Sequence, residues 1–312
     1  MKMREFIIQE NDANQRLDKF ISKAIPLLPK GLMYKSIRNK KIKVNRKRCE
    51  ISTRLNVGDV VHCFIAEEFF EDNKNLDFLQ VPADLKVVYE DEDVIVIDKP
   101  HGLLSHKDSK EIQDNAQDRL LHYLYLKNKQ TEVSFTPAFV HRLDRNTTGL
   151  MIAGKKAESL RLLNEAMKQH TIHKYYLCIV EGVMQKNQDT IVCYHQKLAN
   201  NQAKISFEPI KDASKITTSY KVLKRSATHT MIEVELHGGK SHQIRSVLSA
   251  IGHPLVGDVK YGAKKDGSKH YHHLLAYRLY FDFKYEALPQ LNKQEITCSK
   301  DSMMKLWNQL KS

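Results

Sequence analysis

The chain has 312 residues, 41% of them hydrophobic, which is enough to bury a full core and to hold more than one domain. Fifty Lys and Arg against 37 Asp and Glu leave a net charge of +13, which points to a polyanionic partner. No apolar run reaches the length of a bilayer span, "MKMREFIIQE" lacks the pattern of a signal peptide, and the five cysteines (Cys49, Cys63, Cys178, Cys193, Cys298) form no C-x-x-C pair; the expectation is a cytoplasmic protein with neither disulfides nor structural zinc.

The charge is uneven along the chain. Residues 1–66 carry 15 basic and 6 acidic side chains, whereas residues 67–80, "EEFFEDNKNLDFLQ", carry 1 and 5. A basic head therefore precedes an acidic connector, the arrangement of a phosphate-binding module tethered to a larger unit. In the head, Leu17, Phe20, Ile21 and Ala24 recur at helical spacing and Pro26 ends the run. "GLMYKSIRNKK" predicts a second helix, with Lys35, Arg38, Lys40 and Lys41 largely off its apolar side. "IKVNRKR" reads as a strand turning at Asn45 and Arg46, and Gly58-Asp59 as a turn into a closing strand.

Pro82 marks the expected boundary, giving a head over 13–66, a connector over 67–81 and a larger unit over 82–312. The larger unit alternates strands and helices. It has a hairpin with strands Val87 to Tyr89 and Val94 to Ile97, a helix near Asp118 to Lys127, and a strand Leu150 to Ala153. A helix from Ala157 to Gln169 and strands Tyr175 to Glu181 and Met231 to Leu236 follow. In "LLAYRLYFDF" the alternation puts Leu275, Tyr277, Leu279, Phe281 and Phe283 on one face. The fold class is α+β, with a mixed, mainly antiparallel sheet and flanking helices.

Two segments carry chemistry. Gly239-Lys240-Ser241 looks like the end of a phosphate-binding P-loop, but Val234 stands where that loop needs its first glycine. The local reading is Ser241 as N-cap and a helix from His242 to Ile251 stopped by Gly252, with Ile244, Val247, Leu248 and Ile251 inward. Arg245 then lies off the apolar stripe, open either to an anion or to solvent, and Lys240 sits beside a backbone amide cluster. In "FVHRLDRNTTGL" Asp144 lies between Arg142 and Arg145, as one half of a salt bridge or as a positioned nucleophile. No partner carboxylate, Ser-His-Asp order or dinucleotide fingerprint accompanies it. An arginine beside a lone carboxylate favours its charged form, suited to covalent attack or to proton abstraction. The histidines His270, His272 and His273 lack a Cys or carboxylate partner, so a packed or solvated strand end is expected there and no metal.

"VHRLDRNTTGL" resembles the H-R-L-D-x-x-T-S-G-L motif of RNA pseudouridine synthases of the RluA type. Four further segments are similar to that family in the same order: "VIVIDKPHGLLSH", "HKYYLCIVEG", "GGKSHQIR" and "GHPLVGDVKYG". The order of elements in the head resembles the small RNA-binding domain named after ribosomal protein S-four, which many members carry. The resemblance implies an isomerase that breaks the bond from the ribose anomeric carbon to a uracil nitrogen, turns the base and forms a carbon–carbon bond. It needs no cofactor.

The resemblance further implies that Asp144 is the catalytic aspartate and Arg245 its partner. Arg142 is expected to enter the RNA stack in place of a flipped uridine. Tyr176, rather than its neighbour Tyr175, is expected to pack on the base and to be positioned for late removal of the ring proton, with Ile244 in the pocket wall. His141, Lys240, His242 and Gln243 are expected at the RNA or the base, and Arg38, Lys41 and Lys43 of the head at phosphates. Thr148 replaces a usual Ser; Ser105 and Leu275 depart from the family at positions expected to touch RNA and to bear on site choice. The partner is RNA, ribosomal RNA of the large subunit before transfer RNA, acted on by a monomer. The competing readings are a non-catalytic RNA-binding or ribosome-assembly protein and a nucleotide hydrolase.

Overall fold

The computed structural model describes residues 2–70, 76–108, 113–128, 134–198, 202–265, 271–283 and 288–310. Residues 71–75 of the acidic connector and His270 of the histidine group lie outside the described residues.

The head folds around its own core. Strand β1 (Lys2–Ile7) is followed by helices α1 (Leu17–Ala24) and α2 (Lys30–Arg38) and strands β2 (Ile42–Val44) and β3 (Val60–Ile65). The three strands form an antiparallel sheet in the order β1-β3-β2, so a strand that the apolar pattern did not reveal closes the sheet edge. The helical stripe does what its spacing requires: Leu17, Phe20 and Ile21 of α1 meet Met33 and Ile37 of α2 over Ile42, Val61 and Cys63, all buried. Each fully buried aliphatic or aromatic side chain in such a cluster contributes about 1.5–3 kcal/mol. The hairpin turn is made by Asn45 and Arg46, both left-handed with φ of 50° and 62°.

Polar contacts join the head to the larger unit. Asp12, 1% exposed, accepts a 2.5 Å hydrogen bond from Ser134 Oγ, and Gln15 Nε2 donates to the same Oγ at 2.8 Å. Asn11 Oδ1 accepts the backbone N–H of Ala157, the first residue of helix α4 (Ala157–Lys168). A side chain of the head thus takes one of the free donors at that helix start.

The larger unit is built on one long sheet. Its strands are β4 (Val87–Glu90), β5 (Val94–Lys99), β6 (Ala138–Phe139), β7 (Thr148–Gly154), β8 (Ile172–Glu181), β9 (Gln188–Lys197), β10 (Ala203–Ser206), β11 (Ser214–Arg225), β12 (His229–His237), β13 (Leu274–Phe281) and β14 (Glu295–Thr297). The order is β10-β9-β11-β12-β8-β13-β7-β5-β4, with β14 on β13 and β6 on β7. Every pairing is antiparallel except that of β13 with β7. The expected α+β class, with a mixed, mainly antiparallel sheet, is what the chain forms.

Helices cover the sheet where strands offer apolar side chains. Leu120 and Leu124 of α3 (Ala116–Asn128) and Ile244, Val247 and Leu248 of α5 (Gln243–Ala250) pack with Ile95, Met151, Tyr176 and Ile232. Leu163 and Ala166 of α4 cover Val94, Val96, Leu150 and Ile152. Met303 and Trp307 of α6 (Asp301–Leu310) cover Leu177, Ile179 and Tyr277. None of the described helices is long and apolar enough to cross a membrane.

One strand corrects the alternation read from sequence. In β13 the register shifts between Ala276 and Arg278, leaving Tyr277 as the extra residue of a bulge. Leu275 and Tyr277 therefore pack under α6, whereas Leu279, Phe281 and Phe283 pack with the α4 cluster. The five residues do not share one face, because a one-residue insertion reverses a period of two.

Candidate active site

Asp144 sits in the loop between β6 and β7, and that loop is held at several points. Ser105 Oγ donates to Leu143 O at 2.7 Å and accepts Leu143 N–H at 3.0 Å. Lys99, fully buried, donates from Nζ to Leu103 O at 2.7 Å, Arg145 O at 3.0 Å and Pro100 O at 3.1 Å. Thr147 N–H returns to Asp144 O at 3.0 Å, and Thr147 Oγ1 lies 2.9 Å from His272 Nε2. Gly149 then enters β7 with φ of +107°, and a Cβ there would lie 2.1 Å from Ala276 O. Only glycine allows β7 to approach β13 this closely.

The opposite wall comes from β8, β12 and α5. Arg245 Nη1 donates to Asp144 Oδ2 at 3.0 Å, while its Nε and Nη2 make a two-point contact with Asp258 at 2.7 and 2.8 Å. The guanidinium also lies 5.0 Å from the Tyr261 ring centre. Burial opposes the Arg245 charge, but the bonded Asp258, and after it Asp144, outweigh this and raise its pKa above the ordinary guanidinium value. Arg142, Leu143, Asp144, Thr147, Tyr176, Leu236, Leu274 and residues 239–245 line a pocket of about 90 Å³. Asp144 is the sole carboxylate among these lining residues.

Tyr176 is buried in this wall, and Tyr175 faces the other way, its ring 3.7 Å from the Arg278 guanidinium carbon. Burial, then the nearby Asp144 charge, push the Tyr176 hydroxyl well above the ordinary phenol range. Its proton stays on at neutral pH. Beyond Arg142 and Tyr176 a groove of about 500 Å³ continues past His106, His141, Lys168, His170 and Lys174, with no carboxylate among its lining residues.

Several expectations are corrected. Ser241 makes no capping hydrogen bond: His242 occupies the N-cap with φ of 56°, and Gln243 Oε1 accepts the Lys240 N–H at 3.2 Å. Gln243, 2% exposed, lines the pocket and donates its amide to Thr217 O and Thr218 Oγ1, so it braces α5 against β11. Of the two readings left open for Arg245, an anion partner or solvent, the first is what forms: it is buried against two carboxylates, and its expected pairing with Asp144 is made. His141 accepts the Ile152 N–H on Nε2 at 3.3 Å, and burial, helped by Lys174, pushes its pKa down to about 3. It lines the groove as a neutral ring and is not part of the pocket wall. Ser105 and Leu275 are both buried, one clamping the Asp144 loop and the other under α6. Of the head residues, Arg38 and Lys41 are exposed, and Lys43 Nζ lies 5.8 Å from the Phe64 ring centre. None of the three lines the pocket.

Asp258, Tyr261, Lys99 and His272 received no role from the sequence. Asp258 and Tyr261 lie in "GHPLVGDVKYG" and Lys99 in "VIVIDKP", so the motifs were visible but the contacts between them were not. His272 is neutral at physiological pH, because burial, followed by the Arg245 charge, lowers its pKa to about 4.

The sequence pattern of the RNA pseudouridylate synthase family matches residues 93–250, and that of the S4 domain matches residues 15–61. The chain belongs to the RNA pseudouridylate synthase family. It is 32% identical over 288 residues to an uncharacterized RNA pseudouridine synthase of Mycoplasma genitalium, covering 89% of this chain and 88% of that one. It is 29% identical over 262 residues to ribosomal large subunit pseudouridine synthase C of Vibrio vulnificus, covering 83% and 80%. The solved structure of human RNA pseudouridylate synthase domain containing 4 has a TM-score of 0.55 and 20% identity, covering 68% of this chain and 87% of that chain, and shares the fold. The enzyme is therefore an isomerase that converts uridine in RNA to pseudouridine.

Proposed function

We propose that the enzyme isomerises uridines of large-subunit ribosomal RNA, with Asp144 as the catalytic carboxylate acting on a base flipped into the pocket. The observation that carries this reading is the lone carboxylate of Asp144, bonded by Arg245 at 3.0 Å in a slot whose walls include Leu143, Tyr176, Leu236, Ile244 and Leu274. Such a slot can hold a uracil detached from its ribose while it turns, which the reaction requires. Arg142 is exposed at the rim, where it can fill the space the base leaves in the stack. The raised Tyr176 pKa favours a protonated phenol packed on the base over a free phenolate that takes the ring proton.

The groove beyond Arg142 supports a path for the neighbouring nucleotides, because cations line it and carboxylates do not. The basic head, which takes in β1 before the expected bound at residue 13 and Phe70 beyond the bound at 66, is joined to the catalytic unit over 82–312 and adds phosphate contacts through Arg38, Lys41 and Lys43. Ribosomal RNA is preferred because relatives at 29% and 30% identity are named ribosomal large subunit pseudouridine synthase C.

The test is a carbodiimide-based pseudouridine map of total RNA from cells carrying the wild-type protein or Asp144→Asn. Loss of one or a few signals in large-subunit RNA is expected. Loss confined to transfer RNA overturns the substrate assignment, and an in vitro turnover of Asp144→Asn near wild type removes Asp144 from the chemistry.

A further inference from the structure

Asp144 has a second polar neighbour besides Arg245. His242 Nε2 lies 3.7 Å from Asp144 Oδ2, the same oxygen that receives Arg245 Nη1. The other ring nitrogen, Nδ1, lies 2.9 Å from Tyr261 Oη. That hydroxyl also accepts the backbone N–H of Ala203 at 2.9 Å. A backbone N–H can only donate, so one lone pair of Oη is committed and its single proton needs an acceptor. Tyr261 is 9% exposed, and His242 Nδ1 is the acceptor at hand. An Nδ1 that accepts leaves the proton of the neutral ring on Nε2, aimed at Asp144.

We propose that Tyr261 fixes His242 in its Nε2–H tautomer, and that His242 and Arg245 together hold Oδ2 of Asp144, leaving Oδ1 as the oxygen that reacts with the nucleotide. His242 is then a positioning residue, and the left-handed backbone at its N-cap is what turns the ring toward both partners. A separation of 3.7 Å is long for a hydrogen bond, but contacts of this kind tighten when substrate closes a site. The groups facing the ring are Asp144, Arg245, Asp258, Lys260 and His272. Burial is the largest influence on His242, Asp144 opposes it, and the net effect lowers the ring pKa below the ordinary imidazole value. The ring is thus neutral at pH 7.5, as an accepting Nδ1 requires.

The proposal rests on Asp144 being the reacting carboxylate, but its first test uses no RNA. In the full-length protein labelled with ¹⁵N-histidine, long-range proton–nitrogen correlations report the tautomer of each ring, and loss of one pattern in His242→Gln assigns His242. The Nε2–H pattern is expected at pH 7.5 in the wild type and in Asp144→Asn, and a mixture of tautomers in Tyr261→Phe. An Nδ1–H ring or an imidazolium in the wild type overturns the proposal, whatever the enzyme acts on. In single-turnover assays on transcribed large-subunit RNA, Tyr261→Phe and His242→Gln are each expected to slow the reaction about tenfold with unchanged RNA affinity. Weakened affinity with an unchanged rate would make His242 an RNA contact and refute the positioning role.

Discussion

Replacing Asp258 by Asn tests whether the pocket depends on one buried ion pair. The Arg245 and Asp258 side chains are 8% and 2% exposed and meet at two points, 2.7 and 2.8 Å. Removing one partner of such a pair leaves a buried charge uncompensated, at a cost of about 3–5 kcal/mol. Asn keeps one acceptor oxygen, and Asp144 still faces Nη1, so the lower end applies, about 3 kcal/mol. For a unit of this size that lowers the melting temperature by about 6–12 °C. The assay is calorimetry on the full chain for Asp258→Asn, Arg245→Met and the double variant. Once the arginine is gone, the asparagine removes nothing further from the pair, so the double variant is expected to cost less than the sum of the singles by about 1.5 kcal/mol or more. Additive losses, or a melting temperature within about 1 °C of wild type for Asp258→Asn, would refute the argument.

Lys99 and Lys174 have pKa values lowered by burial to about 8, from 10.5. The folded protein sheds these protons first, so the unfolded chain binds more of them between about pH 8 and 10.5 and the two lysines contribute a rise of stability with pH there, against the buried cysteines, whose raised pKa values contribute a fall. From pH 8 to pH 10 the urea midpoint of Lys174→Met is therefore expected to change less favourably than that of the wild type, and an identical slope in the two would contradict this. Gly149→Ala is expected to cost several kcal/mol, because its Cβ would meet Ala276 O at 2.1 Å and its φ is +107°; wild-type solubility and melting temperature would disprove the close join of β7 and β13. Arg142→Glu and Lys168→Glu are each expected to weaken RNA binding and to reduce the slope of log affinity against log salt by about 1, measured by filter binding across salt concentrations. An unchanged slope in both would move the RNA path out of the groove.

Much of the architecture was legible because it is local. The helical stripe of Leu17, Phe20 and Ile21, the Asn45-Arg46 turn and the strand at Leu150 each follow from residues near in sequence. The meeting of Asp144 with Arg245 followed from resemblance alone, since 101 residues separate them. What stayed hidden needed tertiary information. The bulge at Tyr277 leaves no mark in an alternating run, and β1 lacks a clean period because its side chains are largely exposed. Ser105, Gln243 and Lys99 look like surface residues until their polar atoms are traced to buried backbone partners.

The place of β13 in the sheet bears on how the chain becomes an enzyme at all. Among the described residues, β7, which follows the Asp144 loop, and β8, which carries Tyr176, are joined in the sheet through β13, which begins at Leu274. A growing chain can form β4, β5, β6 and β7 early, and β8 through β12 with α5 later, but these remain two separate half-sheets. The strand that zips them together is the last long one to leave the ribosome. Contacts so distant in sequence carry a high closure cost and form late. Pairing of β13 therefore brings the Asp144 loop and the Tyr176 wall into one sheet, and the pocket between them is completed only when that strand is in place.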